Sequence, residues 1–215
     1  MPESQEHKKA RAEAIIRALQ KEYPDAKCAL DFTTPFELLT ATILAAQCTD
    51  LQVNKVTKTL FKKYRSPEDY VKVPAEELEK DIYTTGFFRA KARSLQSCSS
   101  DLIAKHGGAV PQTMEELVAL KGVGRKTANV VLGNAFGTPG IAVDTHVKRI
   151  SNLLKLAHSD DPDMIEAQLQ TVIPRDRWTA WGHLIATHGR AVCVARRPRC
   201  ADCVINAYCP SRQDI

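Results

Sequence analysis

Cys193, Cys200, Cys203 and Cys209 follow one another with the spacing C-x6-C-x2-C-x5-C, and a loop that carries four thiols so close together has to fold around something. Structural zinc sites are usually built from two tight pairs of C-x2-4-C spacing, and here only Cys200 and Cys203 make such a pair. A cubic iron–sulfur cluster also takes four thiolates and tolerates wider, less regular spacing, so the pattern favours a cluster and leaves zinc as the alternative. Two disulfides would use the same four residues, but nothing else in the chain points to an oxidising compartment. The other cysteines, Cys28, Cys48 and Cys98, are scattered and are expected as buried free thiols in a reducing cell.

A chain of 215 residues with 44% apolar and 26% charged residues describes a globular protein with ample core, in one large domain or two small ones. The first nine residues are polar and lack the apolar stretch of a signal peptide, and no run approaches membrane-spanning length. A cytoplasmic protein without membrane association is expected. The net charge of +5 is mild. Its distribution matters more: Arg190, Arg196, Arg197 and Arg199 crowd into and beside the cysteine loop, where they could hold a polyanion or simply make a solvated surface.

The punctuation is helical throughout. Apolar residues at helical spacing and their end signals predict helices over 7–23, 35–46, 50–64, 88–106, 113–120, 126–136, 145–156, 164–173 and 177–188. Another begins at Ser66-Pro67-Glu68, and Asp161-Pro162-Asp163 is a further start signal. Asp50 is expected as a cap, and Gly107-Gly108, Gly137 and Gly189 as stops. No segment alternates as a strand would. The expectation is an all-α fold of roughly ten helices joined by short loops.

Within it, Leu120-Lys121-Gly122-Val123-Gly124-Arg125-Lys126 reads as a helix end, a tight glycine turn and a new helix. Glycine permits the turn and lets an anion come close to the backbone, while the new helix offers unpaired N–H groups and its positive end. The stretch is either one of the common tight turns or a helix-hairpin-helix, which grips a DNA strand by its phosphates without reading bases. Ala128, Val131, Leu132 and Ala135 make the core stripe of the second helix, which turns Lys126 to the opposite side, toward whatever the hairpin holds. A phosphate-contacting lysine is one reading. A nucleophilic amine is the sharper one, provided that the helix N-terminus, desolvation and neighbouring cations lower a pKa that starts at about 10.4. Shortly afterwards Ile141-Ala142-Val143 buries the chain and Asp144 emerges at the start of the next helix, an N-cap whose carboxylate is fixed in direction and ionised. His146 beside it could position water, contact phosphate or serve as a satisfied structural histidine.

Taken together these stretches resemble the endonuclease III family of DNA glycosylases, within the helix-hairpin-helix superfamily. The resemblance runs from about Ala29 to Pro210 on Leu44-Ala45-Ala46-Gln47-Cys48-Thr49-Asp50, the Gly122 hairpin with Lys126, Val143-Asp144-Thr145-His146 and the cysteine loop. It implies that Lys126 is the Schiff-base lysine, Asp144 the essential aspartate, and Cys193, Cys200, Cys203 and Cys209 the ligands of a 4Fe–4S cluster. Gln47 and the Gly86-Phe87 turn match segments that enter the duplex where the damaged base has left it. The DNA-contacting set is then expected to comprise Gln47, Asp50, Phe87, Gly122, Val123, Gly124, Arg125, His146, Arg196, Arg197 and Arg199. Two lobes are implied: a six-helix barrel domain over residues 28–138, and a cluster domain made of residues 1–27 and 139–215.

The implied activity is that of a bifunctional DNA glycosylase and AP lyase, removing oxidised pyrimidines from duplex DNA and cutting 3′ to the abasic site by β-elimination. A monomer acting on damaged double-stranded DNA is expected. Two departures from the family pattern stand out: Lys121 replaces a proline before the hairpin, and Phe87-Phe88 is bulkier than the usual aliphatic wedge. Related adenine glycosylases lack the lysine and carry glutamate where Thr42 stands, and mismatch-thymine glycosylases carry tyrosine at the position of Lys126. An electron-transfer iron–sulfur protein or a non-catalytic DNA-binding module would need neither Lys126 nor Asp144.

Overall fold

A computed structural model describes residues 3–212, and among them there are eleven α-helices, four single turns of 3-10 helix and no strand. The chain divides into two compact units, residues 28–138 and residues 1–27 with 139–215, each with its own apolar core.

The continuous unit carries α2 (Pro35–Leu44), α3 (Asp50–Lys63), α4 (Pro67–Lys72), α5 (Ala75–Ile82), α6 (Phe88–His106), α7 (Met114–Val118) and α8 (Arg125–Ala135). Seven helices stand where six were expected. The unforeseen one is α5, which starts after Pro74 without a side-chain cap and turns only Leu78 and Ile82, one turn apart, to the core. The other starts follow local chemistry: Thr34, Thr49 and Thr113 accept from backbone N–H groups three residues on. Thr49, not Asp50, is therefore the cap of α3, and Asp50 is its first helical residue, where an acid complements the helix dipole. The long helix α6 ends as its glycines dictate, with Gly107 left-handed at φ 60° and the Gly108 N–H donating to the Leu102 carbonyl at 3.0 Å. It packs against α4 and α5, while α8 packs against α2 and α7.

The discontinuous unit joins α1 (Gln5–Glu22) to α9 (Thr145–Leu153), α10 (Pro162–Gln170) and α11 (Trp178–Ala191). Ile15, Ile16 and Leu19 of α1 belong to one core with Ile150 of α9 and with Trp181 and Ile185 of α11. Arg11 fastens α1 from the outside, donating to the carbonyls of Leu154 at 2.8 Å and Tyr208 at 3.1 Å. Gly189 lies inside α11 and does not stop it, contrary to expectation. No helix among the described residues is long and apolar enough to cross a membrane.

Candidate functional site

In the continuous unit the hairpin is built as its glycines require. Gly122 has φ 82°, and a β-carbon there would lie 2.9 Å from the Ser94 β-carbon. Position 124 has no such strain and faces open space, so its missing side chain leaves the N-terminus of α8 uncovered. Val123 turns its side chain into the core, so only its backbone is on offer to a phosphate. Arg125 and Lys126 are exposed in the first turn of α8, opposite Ala128, Val131 and Leu132. Lys121, where the family pattern has proline, uses the N–H that proline lacks: it donates to Asp101 Oδ2 at 3.1 Å. Asp101 also pairs with Lys105 at 2.9 Å, and that bond together with the Lys121 amide holds its carboxyl below the usual value.

Gln47 and Phe87 carry a feature that no pattern of residue types could announce. Three non-glycine residues among those described have positive φ, and two of them are Gln47 at 52° and Phe87 at 47°. Left-handed backbone is uncommon for such side chains and clusters where function holds it in place. Phe87 is 65% exposed, an aromatic ring at the tip of a turn. The segments bearing the two residues are tied together, for Gln52 in the first turn of α3 donates to the Thr84 hydroxyl at 2.8 Å. Cys48 and Cys28 are half-buried and only Cys98 is fully buried, so the expectation of three buried thiols holds for one; all seven cysteines are free.

In the discontinuous unit Asp144 is the cap of α9. Its Oδ1 accepts from the Val147 N–H at 2.7 Å. His146, the second residue of α9, is half-buried beside Arg149, whose Nη2 lies 3.5 Å from His146 Nδ1.

The four loop cysteines line a single cavity of about 240 Å³. Among the described residues no three His, Cys, Asp or Glu side chains converge as they would on one ion. Four thiols around one cavity suit a body that takes a thiolate at each corner, as a cubic iron–sulfur cluster does. Burial raises the Cys203 and Cys209 thiols above their usual value, and the neighbouring cysteines add to this, so the set needs a cationic partner to hold four thiolates together. Arg149 Nη1 reaches Cys193 Sγ at 3.6 Å. His188, 1% exposed, sits between the Tyr23 hydroxyl at 3.1 Å and Cys203 Sγ at 3.5 Å. Burial, with a smaller contribution from Arg149, pushes its ring down to about 4, so a neutral imidazole braces the loop. Arg196 and Arg197 project from the loop and are exposed. Arg199 is also exposed, but its guanidinium donates to the Ala191 carbonyl at 2.6 Å and ties the loop to the end of α11.

Residues 40–175 match the HhH-GPD superfamily of base excision DNA repair proteins, and residues 193–209 match the iron–sulfur binding domain of endonuclease III. Endonuclease III of Synechocystis is 49% identical over 207 residues, covering 96% of this chain and 94% of that protein. Two solved structures superimpose with a TM-score of 0.90 at 47% identity, each covering 94% of this chain. One is a non-covalent endonuclease III–DNA complex, of which 95% is covered, and the other a trapped endonuclease III–DNA covalent intermediate, of which 96% is covered. The chain thus belongs to the endonuclease III family, as a DNA glycosylase with AP lyase activity in base excision repair that carries a 4Fe–4S cluster in its C-terminal loop.

Proposed function

We propose that Lys126 is the nucleophile and Asp144 the carboxylate partner in the removal of oxidised pyrimidines from duplex DNA. The observation that carries this reading is the exposed Lys126 at the uncovered N-terminus of α8, beside a glycine hairpin open to a phosphate backbone.

A stacked base cannot be attacked at its sugar, so the nucleotide must first leave the helix, which weak pairing at a lesion makes cheaper. Gln47 and Phe87 fill the place it vacates. The neutral Lys126 amine attacks C1′ as the bond to the base breaks, and the base departs with the bonding electrons and takes up a proton. The Asp144 carboxylate stabilises the positive charge developing on the sugar. Opening of the sugar ring follows: the C1′–O4′ bond breaks, O4′ takes up a proton, and loss of the proton from the Lys126 nitrogen leaves an imine, which makes a C2′ proton acidic. Its removal expels the 3′ phosphate by β-elimination, and water then releases the lysine. Phosphate is a leaving group here and is never attacked, so the step needs no metal at the phosphate. The cluster, when bound, supplies a rigid support for Arg196 and Arg197, which hold the backbone. The protein acts as a monomer on damaged or abasic duplex DNA in the bacterial cytoplasm.

Borohydride added during turnover on a lesion-bearing duplex should leave protein covalently attached to DNA. Lys126→Gln should abolish attachment and strand cleavage while lesion binding survives. Undiminished trapping by that variant would move the nucleophile to another amine.

A further inference from the structure

Lys91 lies on the apolar stripe of α6, in helical register with Leu95, Cys98 and Leu102, and is only 5% exposed. Burying an ammonium in a position where leucine or methionine would fit is unfavourable unless the charge is hydrogen-bonded. Its Nζ donates to the Thr85 carbonyl at 2.7 Å, and its backbone N–H donates to the Phe87 carbonyl at 3.0 Å. One residue thus closes both sides of Gly86. Thr85 is itself buried, with its hydroxyl donating to the Ile82 carbonyl at 2.8 Å, and the bond that its own carbonyl accepts from Lys91 is buried too. Burial lowers the pKa of the Lys91 ammonium, and Cys48, next to Gln47, opposes this in part.

The geometry points to Lys91 as a positioning residue for insertion into DNA: its buried ammonium holds the Thr85–Phe87 turn, beside the Gln47–Cys48 segment, in the left-handed shape that presents Phe87. This rests on the reading of Phe87 as the residue that fills the vacated site. A turn whose tip is a left-handed, exposed phenylalanine has no reason to keep its shape unless something beneath it does so. A side chain that fills volume alone would leave the Thr85 carbonyl unsatisfied and the turn free to relax. Displacements on the order of 1 Å are enough to lower a rate about a hundredfold when they misplace a group that must be aligned.

The test is a double-mutant cycle with Lys91→Met and Phe87→Ala, read by single-turnover excision of an oxidised pyrimidine and by the fluorescence of 2-aminopurine opposite the lesion. Lys91→Met should lower excision about tenfold to a hundredfold and reduce the 2-aminopurine signal. In the Phe87→Ala background the same change should cost less than threefold, because groups that act together are not additive. Lys91→Gln keeps an N–H donor and should recover part of the loss; it replaces Lys91→Met in the cycle if that variant does not fold. Equal losses with and without Phe87, or no recovery by glutamine, would make Lys91 a general core residue and overturn the inference. If Phe87→Ala alone left excision and fluorescence unchanged, the reading of Phe87 would fail instead.

Discussion

Gly189 and His146 share one space: a β-carbon on Gly189 would lie 2.5 Å from His146 Nδ1 and 3.0 Å from Ile150 Cδ1. The glycine is inside a helix, where it costs about 0.5–1 kcal/mol relative to alanine. That cost is tolerated because it lets the imidazole lie against α11.

Gly189→Ala sets two effects against each other. Better helix propensity would raise stability by up to about 1 kcal/mol, while overpacking typically costs about 1–3 kcal/mol. With contacts this short the second should win, so a lower Tm is expected, and excision should fall as His146 is pushed from its place. A rise in Tm with unchanged excision would show that His146 swings aside freely.

Asp144 has two separable tasks. Asp144→Asn keeps an oxygen that can accept from the Val147 N–H, so Tm should change little. Excision should fall about a hundredfold or more, equivalent to roughly 3 kcal/mol of lost transition-state stabilisation. Opening of a preformed abasic site should suffer less, since no glycosidic bond is broken there. Asp144→Ala should lose the cap as well, at about 1 kcal/mol. Unimpaired excision by the asparagine variant would reduce Asp144 to a cap.

The hairpin is held from below by Asp101. Lys121→Pro would remove the N–H that Asp101 accepts and leave a buried carboxylate short of a partner, a loss of about 1–3 kcal/mol. The sign with pH follows from the lowered pKa of Asp101. Its stabilisation is fully present above the unfolded carboxylate value, about 3.9, and is lost as pH falls through the lower folded value. The Tm difference between wild type and Asp101→Asn should therefore be largest near neutral pH and shrink in acid. A gap that widened in acid would contradict the assignment.

The arginines of the loop should separate by experiment. Arg196→Ala and Arg197→Ala should each weaken binding to damaged and undamaged duplex alike and lower the salt slope by about one, with Tm unchanged. Arg199→Ala should in addition lower Tm, because its guanidinium ties the loop to Ala191. A change in lesion choice with the salt slope intact would mean that the loop reads bases.

How far the sequence could be read depended on whether the governing interaction was local. The bounds of α6 could be read from Phe88 to His106, because the Gly107-Gly108 stop acts within one turn. The cap at Asp144 and the start at Asp161-Pro162 were equally local. The cysteine spacing announced a metal loop, and the stripe of Ala128, Val131 and Leu132 put Lys126 on the exposed face of α8. Gly189 was misread because what demands a glycine there is His146, forty-three residues away in the chain. The left-handed backbone at Gln47 and Phe87 left no trace in residue type. Lys91 did leave one: a lysine in register with Leu95 and Leu102 on a helix is a charge in the core, and a buried charge needs a carbonyl or carboxylate to receive it.

The discontinuous unit imposes an order on synthesis. Residues 28–138 leave the ribosome with every partner of their core already made, and domains generally fold as they emerge. Helix α1 is translated before them and has to wait. Ile15, Ile16 and Leu19 stay without cover until Trp181 and Ile185 arrive, and Arg11 has nothing to fasten to until Leu154 and then Tyr208 have been added. A nascent chain halted before Trp181 would carry a finished hairpin and an uncovered apolar helix, open to chaperones and proteases. Iron can meet all four thiols only once Cys209 has been made, after the hairpin and the residues of both cores have been translated, so loading the loop comes later than the folding of residues 28–138.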